Sequence, residues 1–166
     1  GGEAEALVGV AVGATVRGTV YQDMDYNGSL NGKEKRLSGV QVRLADEAGN
    51  VVATATTNGE GRYALGGVMP GTYVVQVKRV VGNGFTRLRP NEDGGSHIVE
   101  LLGDYGVTAP LSIAMGQVVE GVNAGMLPAS TVTGKLFNDL NDDGLPSEGE
   151  VGFTEATVRL RSRDGE

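Results

Sequence analysis

The chain contains no cysteine and no tryptophan, and its only histidine is His97. Without cysteine there is no disulfide, no thiolate zinc site and no cysteine nucleophile. One histidine cannot build a multi-histidine metal site, and no partner is evident for a Ser–His–acid triad. Beside Gly94-Gly95-Ser96, His97 reads as a surface strand residue. Aromatics make up 5% of the chain, five Tyr and three Phe, which disfavours a glycan-binding face built on exposed rings. No apolar run reaches the roughly 18 residues of a membrane-spanning helix, so this segment is not expected to span a membrane. The opening Gly1-Gly-Glu-Ala-Glu5 lacks the basic start of a signal peptide, which for an internal segment says nothing about secretion. Positive charge is also scarce: 14 Lys and Arg stand against 21 Asp and Glu, for a net charge of −7. That balance argues against nucleic acid as a partner, because phosphates need Lys and Arg. It suits cation binding and solubility.

What the chain does have is one loop pattern written twice. Asp23-Met-Asp25-Tyr-Asn27-Gly28-Ser29-Leu-Asn31-Gly-Lys-Glu34 and Asp139-Leu-Asn141-Asp-Asp143-Gly144-Leu145-Pro-Ser147-Glu-Gly-Glu150 both satisfy D-x-[DN]-x-[DN]-G-x5-E. Calcium is a hard cation that takes six to eight oxygens. Short acidic or amide side chains at loop positions 1, 3 and 5 can supply three of them: Asp23, Asp25 and Asn27, then Asp139, Asn141 and Asp143. Gly28 and Gly144 allow the sharp turn at position 6. Position 7 offers a backbone carbonyl, so Ser29 and Leu145 serve equally; position 9, often acting through water, is Asn31 or Ser147. Glu34 and Glu150 close the shell as bidentate ligands at position 12. Calcium is therefore the expected cofactor. The competing reading is an Asp/Asn/Gly turn that binds nothing.

An EF-hand places a helix on each side of such a loop. Here Val16–Tyr21 and Val40–Leu44 flank the first copy, and Val132–Phe137 and Ala156–Leu160 the second. All alternate apolar with polar, the period of a half-buried strand. A shift of 116 aligns residues 16–44 with 132–160 without a gap, Val42-Arg-Leu44 falling on Val158-Arg-Leu160. Self-similarity at this spacing predicts tandem modules of domain size. Residues 15–128 read as one complete module and 129–166 as the start of the next, truncated one. Residues 1–14 read as the last strand of a preceding module or a linker, since Gly9 aligns with Gly125.

Twenty-eight glycines between short apolar runs predict an all-β sandwich, and about seven strands can be placed in the complete module. After 40–44 these are 51–57, 62–65, 72–78, 97–102, 111–114 and 117–124. No segment shows a helical period.

The order of Val16-Arg-Gly-Thr-Val-Tyr21, the Asp23–Glu34 loop, Gly39-Val-Gln-Val-Arg-Leu44, Thr56-Thr-Asn-Gly-Glu-Gly-Arg-Tyr63 and Met69-Pro-Gly-Thr-Tyr-Val-Val75 resembles the B domains of serine-aspartate-repeat (Sdr) adhesins. More broadly it is similar to collagen-adhesin (Cna) B-type and carboxypeptidase-regulatory-like sandwiches. The resemblance implies a seven-stranded, prealbumin-like β-sandwich on a bacterial surface protein, outside the cell. There, repeats form a calcium-stiffened stalk that holds a distal binding region away from the surface. Many Cna B-type domains join a first-strand Lys to a last-strand Asn by an isopeptide bond. Here Thr19 stands where the next copy has Lys135, so Asn123 has no matching Lys and no isopeptide is expected in this module.

Further features admit two readings. Asn91-Glu-Asp-Gly-Gly-Ser96 with Asp104 is either a second calcium site or a solvated acidic loop, and 82–96 is the best candidate for recognising a partner. Tyr73 either pins a corner through its hydroxyl or simply packs. Asn27-Gly-Ser29 is a glycosylation sequon by letters, but it lies inside the metal loop. Leu127-Pro-Ala-Ser-Thr131 departs from a sortase signal because Thr comes one place late and no apolar tail follows; it reads as a linker.

The functional expectation is a structural calcium-binding spacer whose partners are neighbouring modules. Calcium would tie the ends of 16–21 and 40–44 together and stiffen the join, the loop lying near the incoming linker. The alternative is a module that binds a host protein, a cell-surface protein or a carbohydrate. No nucleophile–base pair or catalytic metal constellation is legible, so an enzyme is not expected.

Overall fold

The computed structural model describes residues 12–86, 88–130 and 132–159. It falls into two compact units, the first ending at Ala129 and the second beginning at Ser130. Most of the segment 1–14, read as a strand of a preceding module or a linker, lies outside the described residues.

The first unit is all-β. Its strands are β1 (Ala14–Gln22), β2 (Lys35–Arg36), β3 (Gln41–Asp46), β4 (Val51–Thr56), β5 (Arg62–Val68), β6 (Gly71–Lys78), β7 (Asn83–Phe85), β8 (Ile98–Leu102), β9 (Tyr105–Thr108), β10 (Leu111–Ile113), β11 (Val118–Val119) and β12 (Ala124–Pro128). One sheet runs β11-β1-β12-β7, with β2 and β5 also paired to β1; the other runs β4-β3-β6-β9-β8, with β10 paired to β6. Alternation fills the space between the sheets. Val16 and Val20 of β1, Val42 and Leu44 of β3, Leu65 of β5 and Val75 and Val77 of β6 are buried in one apolar cluster. The strand period of two puts each of these on the inner face.

The strands that patterning predicts resolve into twelve paired segments among the described residues. Tyr105–Thr108 escapes the pattern because Val107 and Thr108 are both buried, so the alternation fails there. The expected strand 117–124 breaks in two. Gly121 takes φ +74°, and the chain bulges between β11 and β12. The bulge leaves the amide of Thr19 without a backbone partner, and Asn123 Oδ1 fills the gap at 2.9 Å. The bulge also admits the hydroxyl of Tyr63, which donates to Val122 O at 2.6 Å in the buried interior. Gly18 is required at this crossing, since a Cβ there would lie 1.8 Å from Val122 O.

Both β11 and β12 run parallel to β1. Nine residues at about 3.3 Å each make β1 roughly 30 Å long. The chain thus enters at one end of β1 and leaves along β12 at the other. The loop after β1 lies at the exit end, where Asp23 N donates to Met126 O at 2.8 Å. This corrects the expectation of a loop beside the incoming linker, because strand direction, not sequence proximity, sets which end it occupies.

In the second unit neither Val132–Phe137 nor Ala156–Leu160 forms a strand among the described residues; only Phe137 and Gly152 make an isolated antiparallel bridge. The first copy's β1 is held by β5, β11 and β12. Among the described residues, Val132–Phe137 has no comparable partners. An amphipathic strand with no neighbour has nowhere to place its backbone hydrogen bonds or its apolar face.

Candidate metal centre

The twelve-residue loop 23–34 is closed at its base by a short hairpin. Gln22 pairs with Lys35 and Tyr21 with Arg36, antiparallel, and Leu37 N donates to Val20 O at 3.0 Å. The strand that follows the loop is therefore β2, not 40–44 as patterning suggests. β3 lies in the opposite sheet, so the loop does not tie β1 to it.

Inside the loop, Asp23 Oδ1 accepts from Asn27 N at 3.1 Å and Oδ2 from Gly28 N at 2.8 Å. These bonds draw the chain into its turn. Gly28 takes φ +82°, a region open to glycine. Tyr26 takes φ +60°, which is costly for a bulky residue. Tyr21 braces the turn from below by donating its hydroxyl to Gly28 O at 2.8 Å. Burial, and then the Asp23, Glu34 and Asp25 charges, hold that hydroxyl well above the usual tyrosine range.

Three of the six expected ligands converge. Asp23, Asp25 and Glu34 each bring a carboxylate oxygen to within 4.8 Å of the others. Asp23 is wholly buried, Glu34 is 7% exposed and Asp25 faces solvent. Glu34 Oε2 accepts from Met24 N at 2.6 Å, but Glu34 Oε1 is buried with no hydrogen-bond partner. A buried carboxylate oxygen left unpaired beside two further carboxylates is costly unless a cation sits there. Burial raises the pKa of Glu34, and the Asp25 and Asp23 charges push it in the same direction. Asp25 is shifted down instead, chiefly by the Asn31 amide at 3.0 Å. The cluster can hold a hard cation through oxygen, and the orphaned Glu34 oxygen fits that use.

Of the other three, Asn27 and Asn31 turn their side-chain oxygens to nearby amides, while Ser29, expected to offer its carbonyl, uses its hydroxyl on a residue 63 positions away. Asn27 Oδ1 accepts from Ser29 N at 2.7 Å and Asn31 Oδ1 from Lys33 N at 2.8 Å, while Ser29 Oγ donates to Glu92 at 3.0 Å.

The second loop repeats the backbone design. Asp139 accepts from Asp143 N at 3.2 Å and Gly144 N at 2.8 Å, and Leu145 N donates to Asp143 at 2.7 Å. Asp142 takes φ +58° at the position of Tyr26, and the bridge Phe137–Gly152 matches Tyr21–Arg36. The ligand ends differ. Glu150 is bonded through both oxygens, to Leu140 N at 3.1 Å and Ser147 N at 2.9 Å, and the Ser147 amide is the main cause of its lowered pKa. Asp139, Asn141, Asp143, Leu145 and Ser147 are all exposed. Phe137 has no hydroxyl to brace Gly144. Among the described residues, only the first loop gathers three acidic ligand atoms.

Sequence reasoning missed what packs on the first loop. Thr86 donates its hydroxyl to Asp23 Oδ2, Leu30 N donates to Gly94 O at 2.9 Å, and Ser96 N to Gly28 O at 2.9 Å. The acidic segment 91–96 thus lies against the first loop. Its Glu92 pairs with Arg89 at 2.8 Å, while Asp104 pairs with Arg79 at 2.8 Å. No motif marks Thr86; it reaches Asp23 only through the pairing of β7 with β12. Two other readings resolve. Tyr73 donates to Met69 O at 3.0 Å, as a corner tyrosine would, whereas His97, expected on a surface strand, is half-buried just before β8 with its Nδ1 3.0 Å from Gly95 O.

The sequence model of the SdrD B-like domain matches residues 14–126, which spans both sheets and the first loop. The chain belongs to the SdrD B-like domain family. It is 29% identical over 148 residues to serine-aspartate repeat-containing protein F of Staphylococcus epidermidis, covering 88% of this chain and 9% of that protein. It is 29% identical over 167 residues to serine-aspartate repeat-containing protein D of Staphylococcus aureus strain Newman, covering 89% of this chain and 11% of that protein. The chain spans about a tenth of the length of these relatives. Among solved structures it is similar to the Bacillus anthracis TIE protein, with TM-score 0.43 and 15% identity over 81% of this chain and 21% of that one. The minor pilin GBS52 of Streptococcus agalactiae matches with TM-score 0.41 and 13% identity over 75% of this chain and 49% of that one.

Proposed function

We propose that this SdrD B-like segment is a calcium-binding spacer from the stalk of a bacterial cell-surface adhesin, with a structural rather than catalytic role. Residues 15–128 form one complete module, and 129–166 open the next. The observation that carries the calcium reading is Glu34 Oε1, buried and unpaired among three carboxylates. Asp23, Asp25 and Glu34 would hold the ion, with Asn27, Ser29 and Asn31 completing the first site. Asp139, Asn141, Asp143, Leu145, Ser147 and Glu150 would form a second, weaker one. Bound calcium supplies charge neutralisation and an oxygen-lined anchor. The protein supplies the braced turn, the hairpin base and the bond from Asp23 to the exit strand.

The site's place at the exit end gives the ion a mechanical role. Fixing Asp23 and Glu34 fixes the end of β12, from which the chain leaves the module. Extracellular calcium modules bind with a Kd of about 0.1–1 mM. At tenfold excess calcium, linkage adds about 1.4 kcal/mol per site, so stiffness follows ambient calcium.

Thermal unfolding of the 166-residue chain in EDTA and across a calcium titration tests this reading. The Tm should rise with calcium in the parent and rise clearly less in Asp23→Ala/Glu34→Ala, which keeps only the second loop. Equal responses in the two proteins would rule out the first loop as the site.

A further inference from the structure

Asp23 is held by a group outside its own loop. Its Oδ2 takes two donors, Gly28 N at 2.8 Å and the hydroxyl of Thr86, 63 residues away. Its Oδ1 takes one, Asn27 N at 3.1 Å. Oδ2 is thereby occupied, and Oδ1 keeps capacity for a cation. Asp139 in the second loop has the same two backbone donors, with no third among the described residues.

Thr86 is itself fixed. It is 6% exposed, and its amide donates to Gly125 O at 3.0 Å. Gly125 leaves it room, since a Cβ there would lie 2.2 Å from Thr86 Cγ2. Beyond Thr86 the chain returns to the loop three times: Glu92 accepts from Ser29 Oγ, Gly94 O from Leu30 N, and Ser96 N donates to Gly28 O. All three loop residues lie between Asp23 and Glu34, so the loop conformation that gathers the carboxylates is also the one on which residues 88–96 dock.

We propose that Thr86 is a positioning residue for the first calcium loop, and that cation binding and docking of residues 88–96 are one coupled equilibrium. The inference rests on the calcium reading above. Coupling is reciprocal: whatever docking adds to cation affinity, the cation adds to docking. Residues 88–96 thus form a surface whose order follows calcium. Partners that orient a metal ligand change metal affinity by about 10- to 100-fold when removed.

Tyrosine-sensitised terbium luminescence of the 166-residue chain, competed with calcium, reads the first loop. Tyr26 sits at its fourth position, where the second loop has Asp142. Thr86→Val should weaken first-loop affinity about tenfold or more, and Thr86→Ser should return it to within about twofold of the parent. Hydrogen exchange at residues 88–96 should slow on adding calcium to the parent, a readout that needs no variant to fold. Thr86→Val titrating like the parent, or exchange at 88–96 indifferent to calcium, overturns the coupling while leaving the site intact. A parent with no sensitised signal and no calcium-dependent Tm overturns the site itself.

Discussion

The amide of Asp23 donates to the carbonyl of Met126 at 2.8 Å, joining the first residue of the metal loop to the strand along which the chain leaves the module. The two residues are 103 positions apart and meet only because β12 runs parallel to β1. A cation bound at Asp23 therefore acts at the exit, and exchange of the amides of Gly125 and Met126 should slow when calcium is added. Hydrogen-exchange mass spectrometry on the parent and on Glu34→Gln checks this; slowing of the same size in both would break the connection.

Glu34 sets the pH response of the calcium-free protein. Its folded pKa lies above the ordinary 4.5, chiefly through burial. The fold thus favours the protonated acid. The contribution is fully present below the unfolded pKa and lost as pH rises through the folded one. Asp25 and Asp46 are shifted down and act in a separate, lower window, losing their contributions only as pH falls below about 3.8. In EDTA, stability should therefore fall as pH rises from 4.5 toward neutrality, and Glu34→Gln should flatten that fall. Denaturant unfolding at a series of pH values reads the slope.

Tyr63→Phe deletes the hydroxyl that donates to Val122 O at 2.6 Å. The carbonyl then stays buried at the bulge without this partner. Loss of about 1–2 kcal/mol is expected in urea unfolding, with or without calcium. Calcium affinity should not change, because Tyr63 lies outside the metal loop.

Tyr26 holds a left-handed backbone at φ +60° with an exposed side chain. Asparagine visits that region more readily, so Tyr26→Asn should stabilise the calcium-free unit by about 1 kcal/mol. Urea unfolding in EDTA gives the sign, and a destabilised variant would show that the ring contributes more than the strain costs.

Asn123→Ala should lose about 1–3 kcal/mol, because Thr19 N keeps no partner at the bulge. Asn123→Asp keeps an acceptor and should lose less; the difference between the two in a thermal melt isolates the bond to Thr19.

Much of this molecule was legible in sequence because the signals are local. Alternation in Val42-Arg-Leu44 and Arg62–Leu65 marks strands that bury one face, and that is enough for an all-β sandwich. Asp23, Asp25 and Glu34 stand at spacings that only a tight glycine turn can bring together, and the turn forms as written. Tertiary structure alone decided the rest. The direction of β12 placed the metal loop at the exit end. The pairing of β7 with β12 delivered Thr86 to Asp23, and packing made Glu34 a buried, unpaired acid where Glu150 is bonded through both oxygens. Two loops with one local pattern thus came to differ in burial and in bonding. Spacing along the chain controls a turn of twelve residues, whereas burial and long-range partners depend on which strands pair, and those contacts join Asp23 to residues 63 and 103 positions away.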